Sequence, residues 1–207
     1  MISVIIPTLN EEEHIENVIK FAFNQPNVTE VIVVDDKSLD NTVTIARNCG
    51  AKVVTSTKLG KGTSMKEGVM CASNNIIVFL DGDIDPYPHF TIKLLTEPII
   101  QGEVDFVKAS FSRNAGRVTE LVAKPLLSIF FPDLLRFSQP LSGMIAGKKE
   151  VFSHIEFRED YGVDIGILID MYLANVRMKE VEIGYIENKS KDRKSTRLNS
   201  SHDQISY

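Results

Sequence analysis

The chain has 207 residues, with 23 lysines and arginines against 28 aspartates and glutamates, a net charge of −5 and 43% apolar residues. This profile fits one globular α/β-sized domain with its own core and excludes disordered, collagen-like and coiled-coil chains. An acidic chain also lacks the basic face of a nucleic-acid groove built on phosphate contacts. Cys49 and Cys71 are its two cysteines. They are too few for a disulfide framework and lack metal-knuckle spacing, so both are expected in core packing and the protein in a reducing, cytoplasmic compartment. The N-terminal run Met1–Ile6 has no basic region and breaks at Pro7, which suits a first strand and not a signal peptide. No stretch approaches the roughly 18 apolar residues of a membrane span.

In chain order, apolar runs rich in valine and isoleucine alternate with amphipathic stretches, the pattern of βαβ units around a mostly parallel sheet. Strands are predicted at Ile2–Ile6, Glu30–Val34, Val53–Thr55, Ile76–Leu80 and Asp105–Phe111. Helices are predicted between them at Glu11–Phe23, Asn41–Asn48, Lys61–Ala72 and His89–Gln101. Asn10 before Glu11-Glu12-Glu13 reads as a cap with negative charge at the positive helix end, and Asp40 reads likewise for the second helix. Beyond Phe111 the period changes. Residues 115–135 read as a helix kinked at Pro125, Ser142–Gly147 as a short strand, Asp160–Asn175 as a helix and Glu180–Ile186 as a last strand. On the helix at 160–175, Ile165, Leu168 and Ile169 are expected to face the core, Asp164 a cleft and Asp170 the surface.

From Asp192 onward the sequence is polar, serine-rich and aperiodic, and residues 192–207 are read as a non-native disordered tail on a chain cut short near Lys191. Its basic residues offset part of the charge of an acidic body. The expected domain is therefore residues 1–188, a nucleotide-binding-like half at 1–111 and a less regular half at 112–188.

In an open α/β sheet, ligands bind beyond the carboxyl ends of the strands. That rule points to Pro7–Glu11, Asp35–Ser38 and Asp81–Asp85. In Asp81-Gly82-Asp83-Ile84-Asp85, aspartates crowded at a strand end repel one another and suit a divalent cation whose shell is completed by phosphate and water, although Asp and Gly are also ordinary turn residues. Asp35-Asp36 can accept hydrogen bonds from a base or a ribose, or close a turn. The acidic pocket of a receiver domain is a rival reading of these aspartates. Leu59-Gly60-Lys61-Gly62-Thr63 opens the third helix with a point charge suited to an anion, but it is not a Walker loop and alone reads better as a solvated loop. Asn114–Glu120 places a glycine, an arginine fork and a hydroxyl at a helix entry, suited to a phosphate or carboxylate or to a plain Arg117–Glu120 salt bridge.

The motifs Pro7-Thr8-Leu9-Asn10-Glu11, Val33-Val34-Asp35-Asp36 and Asp81-Gly82-Asp83 together resemble the family 2 nucleotide-sugar glycosyltransferases, which have a Rossmann-like GT-A fold. Gly116–Ala123, Gln139–Gly143 and Tyr161–Gly166 are similar to the corresponding segments of the glucosyl-3-phosphoglycerate synthases within that family. The resemblance implies that Pro7, Leu9, Glu11, Asp36 and Lys61 hold the uridine part of a donor, with UDP-glucose favoured. It implies that Asp81 touches ribose or sugar and that Asp83 binds Mg²⁺ or Mn²⁺. Gly116, Arg117 and Thr119 match the segment that grips phosphoglycerate, and Asp164 stands, one methylene shorter, where the group has the glutamate that faces the sugar. Asn188 falls where that group has a metal-binding histidine. The implied activity is metal-dependent transfer of a hexose to a small anionic acceptor, with no nucleic-acid or membrane partner; pairing with a second copy of the chain, as a homodimer, is compatible with it. Two alternatives stay open: an inverting family 2 enzyme acting on a lipid phosphate or polysaccharide, and a non-catalytic nucleotide-binding module.

Overall fold

The computed structural model describes residues 1–112, 118–159 and 162–186. Seven strands, β1 (Ile2–Thr8), β2 (Val28–Asp35), β3 (Lys52–Thr55), β4 (Ile76–Phe79), β5 (Phe106–Ser112), β6 (Ile145–Lys148) and β7 (Met178–Tyr185), form one sheet in the order β3-β2-β1-β4-β6-β5-β7. Pairing is parallel except where β6 runs antiparallel to both β4 and β5. The expected α/β domain with a mostly parallel sheet is the observed one. The single reversal has a local effect. Phe79 at the end of β4 pairs with Ile145 at the start of β6, so the chain entering β6 arrives at the rim from which β4 leaves.

Alternation along the strands builds a core on each face. Val4, Ile6, Val31, Val33, Val78 and Val107 pack with α1 (Ile15–Phe23), α2 (Thr42–Asn48) and α4 (Thr91–Ile100). Ile5, Ile32, Val34, Ile77, Phe79 and Phe106 pack on the other face with α3 (Lys61–Cys71), α5 (Lys124–Phe130), α6 (Lys149–Ser153) and α7 (Val163–Leu173). Strands covered on both faces read as continuous apolar runs, which is why their positions were legible. Cys49 and Cys71 are both free and half-buried, each packed against the edge of a core cluster.

Several boundaries differ from expectation. The first helix starts at Ile15, not Glu11. Asn10 adopts φ 55°, and its side-chain oxygen accepts from the Leu39 backbone N–H at 2.8 Å, so it joins two loops instead of capping a helix. Asp40 does serve the second helix start, since its carboxylate accepts from the Thr42 N–H at 3.0 Å and also from the Glu12 N–H at 3.1 Å. The stretch expected as a helix kinked at Pro125 is a π-helical turn at Thr119–Ala123 followed by α5. Pro125 lies in the first turn of α5, directly after the π-helical turn. On α7 the fully buried apolar residues are Val163, Ile167, Leu168 and Met171, whereas Ile165 and Ile169 are only half-buried. Asp164 is buried too, one turn before Ile167 and Leu168, as the residue expected to point inward.

Candidate active site

The loops after β1, β2 and β4 meet at one rim of the sheet. Pro7, Thr8, Leu9, Glu11, Asp36, Lys61, Ser64, Asp81, Gly82 and Asp83 line a single cleft of about 330 Å³ there. The six donor-side residues and the metal residue named from the sequence are thus brought together, although they span three loops and the start of a helix. Asp164 reaches the same cluster from behind, through Lys61.

Each loop is held by its own backbone. The Glu11 N–H donates to Thr42 Oγ1 at 2.8 Å, which fixes the first loop against α2. Of the two aspartates after β2, Asp35 closes the turn, accepting from the Lys37 N–H at 3.1 Å and the Ser38 N–H at 3.2 Å. Asp36 faces the cleft, and one of its oxygens accepts from the Gly60 N–H at 2.8 Å. Gly60 makes that contact with φ 129°, a conformation that side-chain-bearing residues rarely adopt. The Asp81 loop is anchored from below by Tyr87, whose buried hydroxyl donates to the Asp81 carbonyl at 2.8 Å and whose ring stacks on Phe21. Burial, with the charges of Asp81 and Asp83 nearby, keeps the Tyr87 phenol protonated well above its ordinary range.

The centre of the cluster is a charged triad. Lys61 Nζ donates to Asp81 Oδ1 at 3.1 Å and to Asp164 Oδ2 at 2.9 Å. Burial lowers the proton affinity of Lys61, but the charges of Asp81 and Asp164 outweigh it, and the ammonium holds its proton more tightly than an ordinary lysine. Burial likewise pushes the Asp164 carboxyl up, against the pull of Lys61. Backbone closes the back of the triad. A Cβ at Gly143 would lie 2.5 Å from both Lys61 Nζ and an Asp81 oxygen, so no larger residue fits without moving the pair.

Four buried side-chain atoms have no hydrogen-bond partner among the described residues: Thr8 Oγ1, Asp36 Oδ1, Ser64 Oγ and Asp164 Oδ1. Three belong to residues lining the cleft and the fourth to the aspartate paired with Lys61. Buried polar atoms normally find partners, so this concentration marks a place built to meet a polar ligand. Asp83 stands exposed at the same cleft. No three His, Cys, Asp or Glu side chains converge on one point among the described residues. A carboxylate of this kind holds a divalent cation when phosphate oxygens and water supply the remaining positions, the usual manner for Mg²⁺.

Of the residues named from the sequence for an acceptor, Thr119 is buried at the start of the π-helical turn. Gly116, Arg117 and Asn188 lie outside the described residues. Glu120, read as a partner for Arg117, pairs with Lys124 one turn on, at 2.5 Å. Asp170, read as a surface residue, is half-buried and bound by Arg158 at 2.8 Å. Ser64, Gly143, Tyr87 and Lys108 were not singled out from the sequence. Lys108 carried a signal nonetheless: it is a lysine in the middle of an apolar strand.

The fold and the cleft together define an α/β domain with a polar cleft at the carboxyl ends of its strands. Residues 3–153 match glycosyl transferase family 2, and the chain belongs to that family. It is 36% identical over 195 residues to the glucosyl-3-phosphoglycerate synthase of Petrotoga mobilis, an alignment covering 82% of this chain and 60% of that protein. A crystal structure of glucosyl-3-phosphoglycerate synthase from Mycobacterium tuberculosis in complex with Mn²⁺, UDP-glucose and phosphoglyceric acid matches with a TM-score of 0.86 at 34% identity, covering 95% of this chain and 74% of that one. A dolichol-phosphate mannosyltransferase from Pyrococcus furiosus is 29% identical over 199 residues, or 89% of this chain and 55% of its own. The chain spans about 60% of the length of the curated synthases it matches.

Proposed function

We propose that this chain carries the donor-binding and part of the acceptor-binding machinery of a metal-dependent glycosyltransferase that moves glucose from UDP-glucose to 3-phosphoglycerate. The observation that carries the reading is the set of unpartnered buried oxygens around one cleft. Its substrates come from the relatives, glucosyl-3-phosphoglycerate synthases of which one was crystallised with Mn²⁺, UDP-glucose and phosphoglyceric acid.

In this reading Pro7, Leu9, Glu11 and Asp36 hold the uridine, the free Asp36 oxygen accepting a hydrogen bond from the base. Asp81 meets ribose or sugar. Asp83 holds Mg²⁺ or Mn²⁺, which when bound offsets negative charge on the diphosphate as a Lewis acid. Lys61 adds a fixed positive charge toward the same leaving group, and its two carboxylate partners keep it protonated throughout the working pH range. Asp164 presents its unpartnered oxygen to the hexose and orients it. Gly116, Arg117 and Thr119 bind the acceptor, whose carboxylate and phosphate suit an arginine fork.

The remaining partner and location readings are proposals of the same standing. Leu121, Leu126, Ile129 and Phe130 are exposed apolar residues on neighbouring turns, which supports coverage by a second copy of the chain. No helix among the described residues is long and apolar enough to cross a membrane. The two free cysteines support a reducing cytoplasm.

Isothermal titration of UDP-glucose with and without Mn²⁺, followed by NMR of the product formed with 3-phosphoglycerate, tests the reading. Metal-dependent binding and a glucoside with retained anomeric configuration are expected. An inverted product, or transfer only to a polyprenyl phosphate, favours the lipid-directed alternative that the Pyrococcus furiosus relative represents. Absence of any metal-dependent nucleotide binding would leave a non-catalytic module.

A further inference from the structure

Lys108 is completely buried in the middle of β5, yet it belongs to none of the groups assigned above to donor, metal or acceptor. Its ammonium donates to the Ser142 carbonyl at 2.7 Å and to the Asp164 main-chain carbonyl at 3.3 Å. These acceptors lie on two separate pieces of chain. Ser142 precedes Gly143, whose backbone forms the wall behind Lys61 and Asp81. Asp164 sits in the first turn of α7, and its side chain pairs with Lys61. One side chain therefore ties together the backbone behind one carboxylate of the triad and the backbone that carries the other.

We propose that Lys108 is a positioning residue for the transfer reaction, holding the Ser142–Gly143 wall and the first turn of α7 in register so that Lys61, Asp81 and Asp164 keep their geometry.

The cost of keeping a cation there supports the assignment. Burial lowers the Lys108 ammonium to about 8 from an ordinary 10.5; Asp164, Asp81 and Glu180 hold the proton while Lys61 repels it. A methionine would fill the same space without that cost and would remove the side-chain hydrogen bonds to both carbonyls. A group this expensive to bury, bonded only to backbone at the back of a cleft, has the arrangement of a support for other side chains. In the proposed reading the uridine is held chiefly by the loops after β1 and β2, to which Lys108 makes no hydrogen bond. Its removal is therefore expected in the chemical step and not in the ground-state binding of nucleotide. Displacements of about 1 Å in reacting groups cost on the order of 100-fold in rate.

This inference rests on the proposed transferase reading, and the experiment separates the two. Lys108→Met is compared with the wild-type chain for kcat, for the UDP-glucose dissociation constant in the presence of Mn²⁺, and for amide hydrogen exchange at residues 142–146 and 163–168. The expected result is a fall in kcat of about 10- to 100-fold with donor affinity within about threefold, and faster exchange in both segments. An unchanged kcat, or equal losses in kcat and donor affinity, overturns the proposal. Should the wild type neither bind UDP-glucose nor transfer glucose, the functional reading fails, and the exchange measurement decides the role of Lys108 alone: unchanged protection in either segment overturns it. Where Lys108→Met does not fold, Lys108→Gln, which keeps one amide donor, takes its place. Loss of the fold in both variants makes Lys108 a core residue only and also overturns the proposal.

Discussion

Carboxylates stand at both rims of the sheet and are treated oppositely. At the rim where β5 begins, Asp105 accepts from Arg177 Nε at 2.8 Å and from its second nitrogen at 2.9 Å, while Lys148 Nζ lies 2.7 Å from the same group. These bonds, the Arg177 pair foremost, hold the Asp105 carboxyl down to about 2. At the opposite rim Asp36 and Asp164 each keep one buried oxygen without a partner among the described residues. The first arrangement is closed and contributes to stability. The second leaves hydrogen-bonding capacity open, which is tolerable only where a ligand completes it. The sheet thus separates a rim that holds the fold from a rim that binds.

The sharpest break of this contrast is Asp83→Ala. Titration of UDP-glucose with Mn²⁺ is expected to lose its metal dependence, a drop of about 100-fold or more in donor affinity, with the midpoint of unfolding unchanged because Asp83 is exposed. Metal-dependent binding that survives the change would move the metal site elsewhere. A smaller effect is expected from Arg117→Ala. Loss of a charge-assisted contact of about 1.5–3 kcal/mol should raise the KM for 3-phosphoglycerate by roughly 10- to 100-fold and leave donor affinity alone. A defect confined to the donor would contradict its assignment. Asp105→Asn is the converse case and the smallest effect. It should cost about 1 kcal/mol in a urea unfolding curve at pH 7, after solvent screening of a half-buried pair, with no change in UDP-glucose affinity. The sign follows from a carboxyl whose folded value lies below its ordinary 3.8. Its stabilisation is complete above that value and is lost as pH falls toward about 2, so wild type and variant should converge in stability across that window.

Local signals placed the elements well because both faces of the sheet are covered and the strands are apolar throughout. They misplaced helix starts because a cap residue has more than one use. Asn10 has the side chain of a cap, but a partner 29 residues away takes it. The site was legible as three polar loops after three strands, and all three converge. Residue type and spacing left Asp35 and Asp36 as an undivided pair, from which the family resemblance picked out Asp36; the turn bonds of Lys37 and Ser38 show that Asp35 closes the loop. Lys61 drew a weak local signal because the partners that give it meaning, Asp81 and Asp164, lie 20 and 103 residues away. Lys108 went unread because a strand pattern records the apolar positions around a residue and is silent about what lies at the end of a long side chain.

The reversed strand β6 decides how the rim can change. Parallel strands deliver only the loops that follow them, so altering such a loop alters the entry to the next helix as well. β6 delivers the segment before it, Ser142–Met144, and then leaves the rim by a path that the loops after β1, β2 and β4 do not share. The half of the chain that supplies Gly143 can therefore lengthen or shorten between α5 and β6 while the loops after β1, β2 and β4 keep their spacing. Such a layout permits that segment to diverge while the loops after β1, β2 and β4 are inherited unchanged.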